Sequence, residues 1–350
     1  MNILEKWNAF TPLTEEERVL LNKRMHHKPN ETSDYDTNPC FCENNFWINT
    51  IEMEYFKLMP FCNLCPGKNH LTFNTCCSNF IRELFYKYVD DDTLVISSDC
   101  EHPTVKECLK NCKNTLILSQ HNDIRRFNLN KIANSIINYK KIFVYIIGMR
   151  NDTGEITPQS FMLALKDLLN TKEHIIVLDD VQGMFFIPRD YSIYDYVLGT
   201  GHVAVPNFDL GIMISKKPYP GINAINWAKA YLEVLKIVLK RLKKLYLFRN
   251  YCNEYFKSFC IKYPPSQALA APHIFYLQKP KAKVTPEVSL SIEKVHTLIM
   301  PNTTQIGGIR MRALGFITAP ETLKKAIQIF NYVLETNYID EKVLLEIIND

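Results

Sequence analysis

Short apolar, β-branched runs recur through the first two thirds of the chain, and stretches with helical apolar spacing lie between them. Thr93 to Ser97, Thr115 to Leu118, Ile142 to Ile147, Ile175 to Leu178 and Asp195 to Leu198 have the length and composition of buried strands. Ile81, Leu84, Phe85 and Val89 share one helical face, as do Val105, Cys108 and Leu109, and further helices are expected near Leu129 to Ile137 and over Ser160 to Leu169. Strand and helix alternation of this regularity predicts an α/β fold with a mostly parallel sheet covered on both faces.

Beyond this region the pattern changes. From about Asn223 to Phe259, Leu232, Leu235, Leu239, Leu242 and Tyr246 recur at helical spacing, with Lys236, Lys240, Lys243 and Lys244 on other faces. A basic amphipathic helix of this kind suits an anionic surface, or it is a long helix joining two domains. Pro264 and Pro265 close the segment, and Pro272 to Gln278 reads as the first strand of a C-terminal unit that continues through helices at Glu321 to Leu334 and Glu341 to Ile348. At the other end, Thr14 and Glu17 have capping-box spacing for a helix over Thr14 to Asn22, and Asn30 to Asn45 is a polar loop. The expected division is an N-terminal arm over 1–70 contributing to a small domain, a large domain over 71–222, an interdomain helix over 223–261 and the small α+β domain over 262–350. No internal repeat or long low-complexity tract interrupts it.

A chain of 350 residues can bury a sizeable core. Its net charge of +4, from 41 basic against 37 acidic residues, makes no electrostatic case for nucleic acid. Met1 to Phe10 lacks an apolar signal region and no apolar run approaches membrane length, so neither secretion by signal peptide nor a membrane span is expected, and a cytoplasmic setting follows. The eleven cysteines are then read as reduced thiols. Cys40, Cys42, Cys62 and Cys65 form two close pairs that suggest a four-thiolate zinc site, although the first pair has one intervening residue where zinc knuckles have two to four. Free thiols are the simpler reading. Cys76 and Cys77 are adjacent and poorly placed to share a metal, and Cys108 and Cys112 fall on one helix face as core residues.

Candidate chemistry gathers just past the strand ends, where open α/β sheets place their ligands. The segments are Glu101-His102-Pro103, the loop Gly148 to Gly154, Asp179-Asp180-Val181-Gln182-Gly183 and Gly199-Thr200-Gly201-His202. Singly, each is also an ordinary turn. In this order they resemble the class V aminotransferase family, the fold-type-I pyridoxal-phosphate enzymes that include cysteine desulfurases and selenocysteine lyases; the likeness runs from about Leu71 to Leu210 and returns near Arg310. The resemblance implies a large domain with a mostly parallel sheet of seven-stranded type between helices, and a homodimer. It also implies a pyridoxal 5'-phosphate pocket. Asp179 matches the partner of the pyridine nitrogen, whose carboxylate keeps the ring an electron sink. Gln182 and Asn151 match residues beside the phenolic oxygen, and His102 matches the histidine that stacks on the ring. Thr200, His202 and Ser78 match phosphate ligands, Ser78 at a helix start. Arg310, with Thr318 eight residues on, matches the arginine that binds the substrate carboxylate, a task suited to a guanidinium fork.

The departures are equally specific. Val203 stands where the family has its Schiff-base lysine, so no covalent cofactor bond is expected there, and Lys216 and Lys217 lie beyond the next strand. Between Cys260 and the C-terminus there is no cysteine to serve as the family's sulfur-accepting thiolate. The family's Gly-Ala-Thr turn is altered to Cys76-Cys77-Ser78, and Pro218 to Asn226 leaves no room for the loop that supplies a phosphate ligand across the dimer. The pattern therefore implies a pseudoenzyme of NifS-like type that binds a protein or a small ligand, with cofactor binding non-covalent or absent. Against a viral NifS-like relative, the implied setting is the infected cell's cytoplasm or the virion, and the implied partner is a host protein. The competing expectation is a cryptic pyridoxal-phosphate desulfurase, lyase or sulfur carrier using an upstream cysteine.

Overall fold

The computed structural model describes residues 51–59, 62–65, 67–118, 129–150, 154–203, 210–221 and 225–239, together with the backbone of four strands between 261 and 312. The larger unit is built on β1 (His70–Asn74), β2 (Thr93–Ser98), β3 (Asn114–Leu118), β4 (Lys141–Ile147), β5 (Glu173–Asp179), β6 (Tyr196–Thr200) and β7 (Gly211–Ser215). The helices are α1 (Cys77–Tyr88), α2 (Pro103–Lys110), α3 (Leu129–Ile136), α4 (Gln159–Leu168) and α5 (Ile225–Leu239). They cover a seven-stranded sheet of order β1-β7-β6-β5-β4-β2-β3. Pairings among β6, β5, β4, β2 and β3 are parallel, and β7 runs antiparallel to both of its neighbours.

Period-two alternation sorts the strand residues between two cores. Val95, Phe143, Tyr145, Val177, Leu198 and Met213 face α1 and α2, where Phe80, Ile81, Leu84, Phe85 and Val105 pack against them. Leu94, Ile96, Val144, Ile146, Ile176, Leu178 and Ile212 face the other way, toward Ile132, Met162, Leu165, Tyr231 and Leu235 of α3, α4 and α5. Burial on both faces explains why the central strands read as continuous apolar runs.

Three findings refine the expected organisation. Of the arm assigned to the small domain, Ile51, Tyr55, Phe56 and Met59 pack into the core of the large sheet, and the Tyr55 hydroxyl donates to Ala228 O of α5 at 2.9 Å. In α5 the apolar face, Tyr231, Leu232 and Leu235, is buried in the same core, and Lys236 Nζ reaches Glu54 Oε2 at 2.7 Å. This helix is therefore a structural wall over its described length. Finally, the smaller sheet has the order β10-β11-β9-β8 and begins earlier than Pro272. Its strands are β8 (Ile261–Tyr263), β9 (Ile274–Gln278), β10 (Ile299–Pro301) and β11 (Ile309–Arg312). The run Ile274–Gln278 is thus the second strand; the first is a three-residue strand hidden in sequence by the helical pattern before it and the prolines after it. The expected N-terminal helix near Thr14, the loop to Asn45 and the last two helices lie outside the described residues.

Phe80 is fully buried beneath the sheet, whereas Tyr86 on the opposite face of α1 is 93% exposed. Urea denaturation is expected to show a loss of about 3–5 kcal/mol for Phe80→Ala. The same measurement on Tyr86→Ala should change by less than about 0.5 kcal/mol.

Candidate functional site

From β2 the chain moves outward to β3 and then returns to the other side of β2 as β4, so the loops leaving β2 and β4 diverge. A crevice at the carboxyl ends of the strands follows from that reversal. His102, Asp179, Gln182, Thr200 and His202 all come from segments that leave the strands at this end.

Asp179 ends β5 on the face that carries Val177 and Tyr145, toward α1. Its Oδ2 accepts from the Tyr145 hydroxyl at 2.9 Å and its Oδ1 from the Val181 amide at 3.3 Å. Burial raises its pKa, opposed by the Tyr145 hydrogen bond and by His102. Three residues on, Gln182 is buried, and its Oε1 meets no hydrogen-bond donor among the described residues. His102 caps the N-terminus of α2, with Pro103 in the first turn and Nδ1 accepting from the Thr104 amide at 3.3 Å. The imidazole is exposed, as a ring available for stacking must be.

A close backbone approach joins the end of β6 to the start of α1. Thr200 pairs with Gly211 across β6 and β7, and its Oγ1 lies 2.9 Å from His202 Nδ1. A Cβ on Gly211 would sit 2.6 Å from the carbonyl carbon and oxygen of Cys76 and 2.9 Å from Cys77 N. Only glycine lets β7 come this near the N-terminus of α1, which brings Thr200 beside that helix end. The first turn of α1 has no acidic residue and no side-chain cap, so its dipole end is not already neutralised. Ser78 stands in that turn, with Oγ 3.2 Å from Thr104 Oγ1 of α2.

Val203 follows His202 directly and is 2% exposed, within the apolar cluster of Leu178, Met184, Leu210 and Ile212. Lys216 lies far from Val203. The register pairs Ser215 with Tyr196, at the start of β6, and Lys216 Nζ reaches Asp195 Oδ1 at 3.2 Å at that opposite end of the sheet. Asn151 and Thr318 lie outside the described residues; Arg310 lies in β11 with Met300 and Tyr276 as backbone partners. Of the zinc candidates, Cys62 is buried and donates to Phe56 O, Cys65 is exposed, and Cys40 and Cys42 lie outside the described residues. Cys108 and Cys112 pack at the edge of the α1 and α2 core.

Sequence reasoning passed over Glu101, which is 3% exposed beside the same crevice. Its Oε1 accepts from Ser98 Oγ at 2.6 Å and from the Ile147 amide at 3.0 Å, tying the end of β2 to the end of β4. Burial first, and then the nearby Asp179, push its pKa from 4.5 up to about 8. The available signal was a carboxylate directly after an apolar strand. Its burial was not readable, because that depends on β4 lying alongside. Tyr145 was missed for the same reason, being thirty-four residues from Asp179 in sequence.

No family model and no curated protein sequence matches the chain. Among solved structures, the fold is that of the fold-type-I pyridoxal-phosphate transferases. More narrowly, the neighbours include NifS-like proteins and cysteine desulfurases. The NifS-like protein from Rickettsia africae is 13% identical, with a TM-score of 0.67 over 92% of this chain and 97% of that one. The apo cysteine desulfurase from Thermococcus onnurineus is 12% identical, with a TM-score of 0.65 over 94% of each chain. A C-DES point mutant with glycine covalently linked to its PLP cofactor is 13% identical, with a TM-score of 0.65 over 93% of each chain.

A carboxyl whose pKa is raised in the folded state is protonated there while its unfolded counterpart is ionised, so the fold loses stability as pH rises between the two values. For Glu101 that window is pH 4.5 to about 8. The urea midpoint is therefore expected to fall across this range with a contribution from Glu101 of up to roughly 1.4 kcal/mol per pH unit. Glu101→Gln should flatten the profile and be more stable than the native chain at pH 8.

Proposed function

We propose that this chain is a catalytically degenerate NifS-like protein that holds pyridoxal 5'-phosphate without a covalent anchor and acts by binding rather than by releasing sulfur. The observation that carries this reading is the contrast within one turn: Thr200, bonded to His202, pairs with the Gly211 that abuts the helix end, while the adjoining Val203 is buried in apolar core. Fit to the cofactor is supported by the uncapped α1 N-terminus for a phosphate, the exposed His102 ring, and Asp179 together with the unpartnered Gln182 Oε1 in the buried wall. When bound, the cofactor supplies a pyridine ring able to accept electron density. Asp179 would hold a proton at the ring nitrogen, Thr200, His202 and Ser78 would hold the phosphate, and His102 would cover one ring face. With valine at position 203 no side-chain amine at that point captures the aldehyde or moves protons at the carbon beside it.

The desulfurase form of the rival reading requires a thiolate at the site. Cys77 lies near Asp179, but burial first and then that carboxylate raise its pKa well above the ordinary value and keep it a thiol.

We further propose a homodimer on the family's pattern, acting through a protein partner. The asparagine- and lysine-rich composition and the degenerate motif set resemble the NifS-like protein of African swine fever virus. On that likeness the setting is the infected cell's cytoplasm or the virion, and the partner a host protein whose activity is modulated.

Titration with pyridoxal 5'-phosphate is expected to perturb the ligand's absorbance with no adduct fixed by borohydride and no sulfide from cysteine. Borohydride-fixed cofactor on a lysine of the native chain would overturn this reading. Asp179→Asn should weaken the titrated affinity roughly tenfold or more, the scale of a lost hydrogen bond to a charged group. Val203→Lys should create a borohydride-fixed adduct at position 203, detectable by peptide mass.

A further inference from the structure

Directly after Asp179, the carboxylate of Asp180 is turned into the protein and fully buried. It meets Arg189, also buried, with Nε 3.3 Å from Asp180 Oδ1, and its Oδ2 accepts from the Tyr191 hydroxyl at 2.6 Å. The rest of the guanidinium points elsewhere. Nη1 donates to Thr157 O at 3.0 Å and Nη2 donates to Gly148 O, two carbonyls at the base of the loop that leaves β4. The same loop base is bonded to the sheet through Gly148 N to Asp179 O at 2.7 Å and through Thr157 Oγ1 to Ile147 O at 2.6 Å. Glycine is required where the carboxylate is wedged: a Cβ on Gly148 would lie 2.6 Å from Asp180 Oδ1, and one on Gly183 would collide with the same oxygen.

One planar cation therefore joins two walls of the crevice, the β4 loop and the Asp179–Gln182 turn, without itself lying at the ligand's place. A lysine could neutralise Asp180 but could not reach two carbonyls at once, because it lacks the fixed fork. A surface ion pair would leave both walls free to shift, and an apolar plug would leave Thr157 O without its Arg189 donor and Gly148 O with the Thr157 amide alone.

We infer that Arg189 is a positioning residue: paired with Asp180, it sets the spacing between the β4 loop and the Asp179–Gln182 turn, and thereby the width of the crevice that receives the ligand. The ligand part of this inference rests on the pyridoxal-phosphate reading above.

The test compares the full native chain with Arg189→Lys and with the double variant Asp180→Asn/Arg189→Met, which leaves no unpaired buried charge and so avoids the main cause of unfolding in single variants. Both are followed by amide hydrogen exchange and by titration with pyridoxal 5'-phosphate. In the double variant, exchange is expected to quicken at least tenfold in peptides covering 148–157 and 179–183, with α1 and β2 unchanged, and affinity for the cofactor is expected to fall at least tenfold. Arg189→Lys should show the same local pattern at smaller size, and it decides the matter if the double variant does not fold. Native-like exchange in both loop segments, or faster exchange spread evenly over the chain, would overturn the positioning role. If the native chain binds no pyridoxal 5'-phosphate, the cofactor reading falls while the exchange comparison still decides what Arg189 does.

Discussion

Three carboxyl groups, those of Glu101, Asp179 and Asp180, are buried within a few residues of the ends of β2 and β5, and the arrangement of the crevice follows from how each is satisfied. Burying an unpaired carboxylate is costly, so each must be neutralised, bonded or ion-paired. Asp180 is met by Arg189 Nε at 3.3 Å from Oδ1 and by a tyrosine hydroxyl at Oδ2. Asp179 relies on Tyr145 and one backbone amide. Glu101 is held by a serine hydroxyl and the Ile147 amide, with its ionisation displaced to about pH 8. Partners for these groups come from β2, from β4, from the loop after β5 and from the turn near Tyr191, so satisfying the carboxyls also fixes the relative positions of those segments.

The opposite side of the crevice is governed by close packing. Gly211 admits α1 against β7, and that contact sets the helix N-terminus next to Thr200. One residue past His202 the environment becomes apolar, and Val203 joins the core that also holds Met184 and Leu210. The polar Thr200–His202 pair and a hydrophobic plug thus adjoin within four residues.

α5 illustrates how packing decides between readings that charge leaves open. Its lysines alone suit an anionic surface, but Tyr231, Leu232 and Leu235 are committed to the core beneath the sheet, and Lys236 is engaged by Glu54. Glu54 is correspondingly held well below the usual carboxylate range, at about 2, by Lys236 first and by Lys57. The residues before β1 belong to the same structure, since Tyr55 stacks on Tyr231 with ring centroids 6.2 Å apart.

The apolar runs of the central strands and the helical spacing between them were enough to define the α/β sandwich, because strands buried on both faces must be apolar along their whole length. The polar residues after β2, β5 and β6 were likewise legible, since irregular polar segments at strand ends stand out against apolar neighbours. Pairing was not. Tyr145 serves Asp179 only because β4 and β5 pair in the register that sets Ile147 beside Asp179. Glu101 becomes a buried group only when the Ile147 amide arrives from across the sheet, and Arg189 finds its partners only when distant segments close around it. The short strand β8 carried too few residues for any periodicity to show. Periodicity and residue type are local and survive in one dimension, whereas register, burial of charge and the meeting of distant loops exist only once the chain has folded.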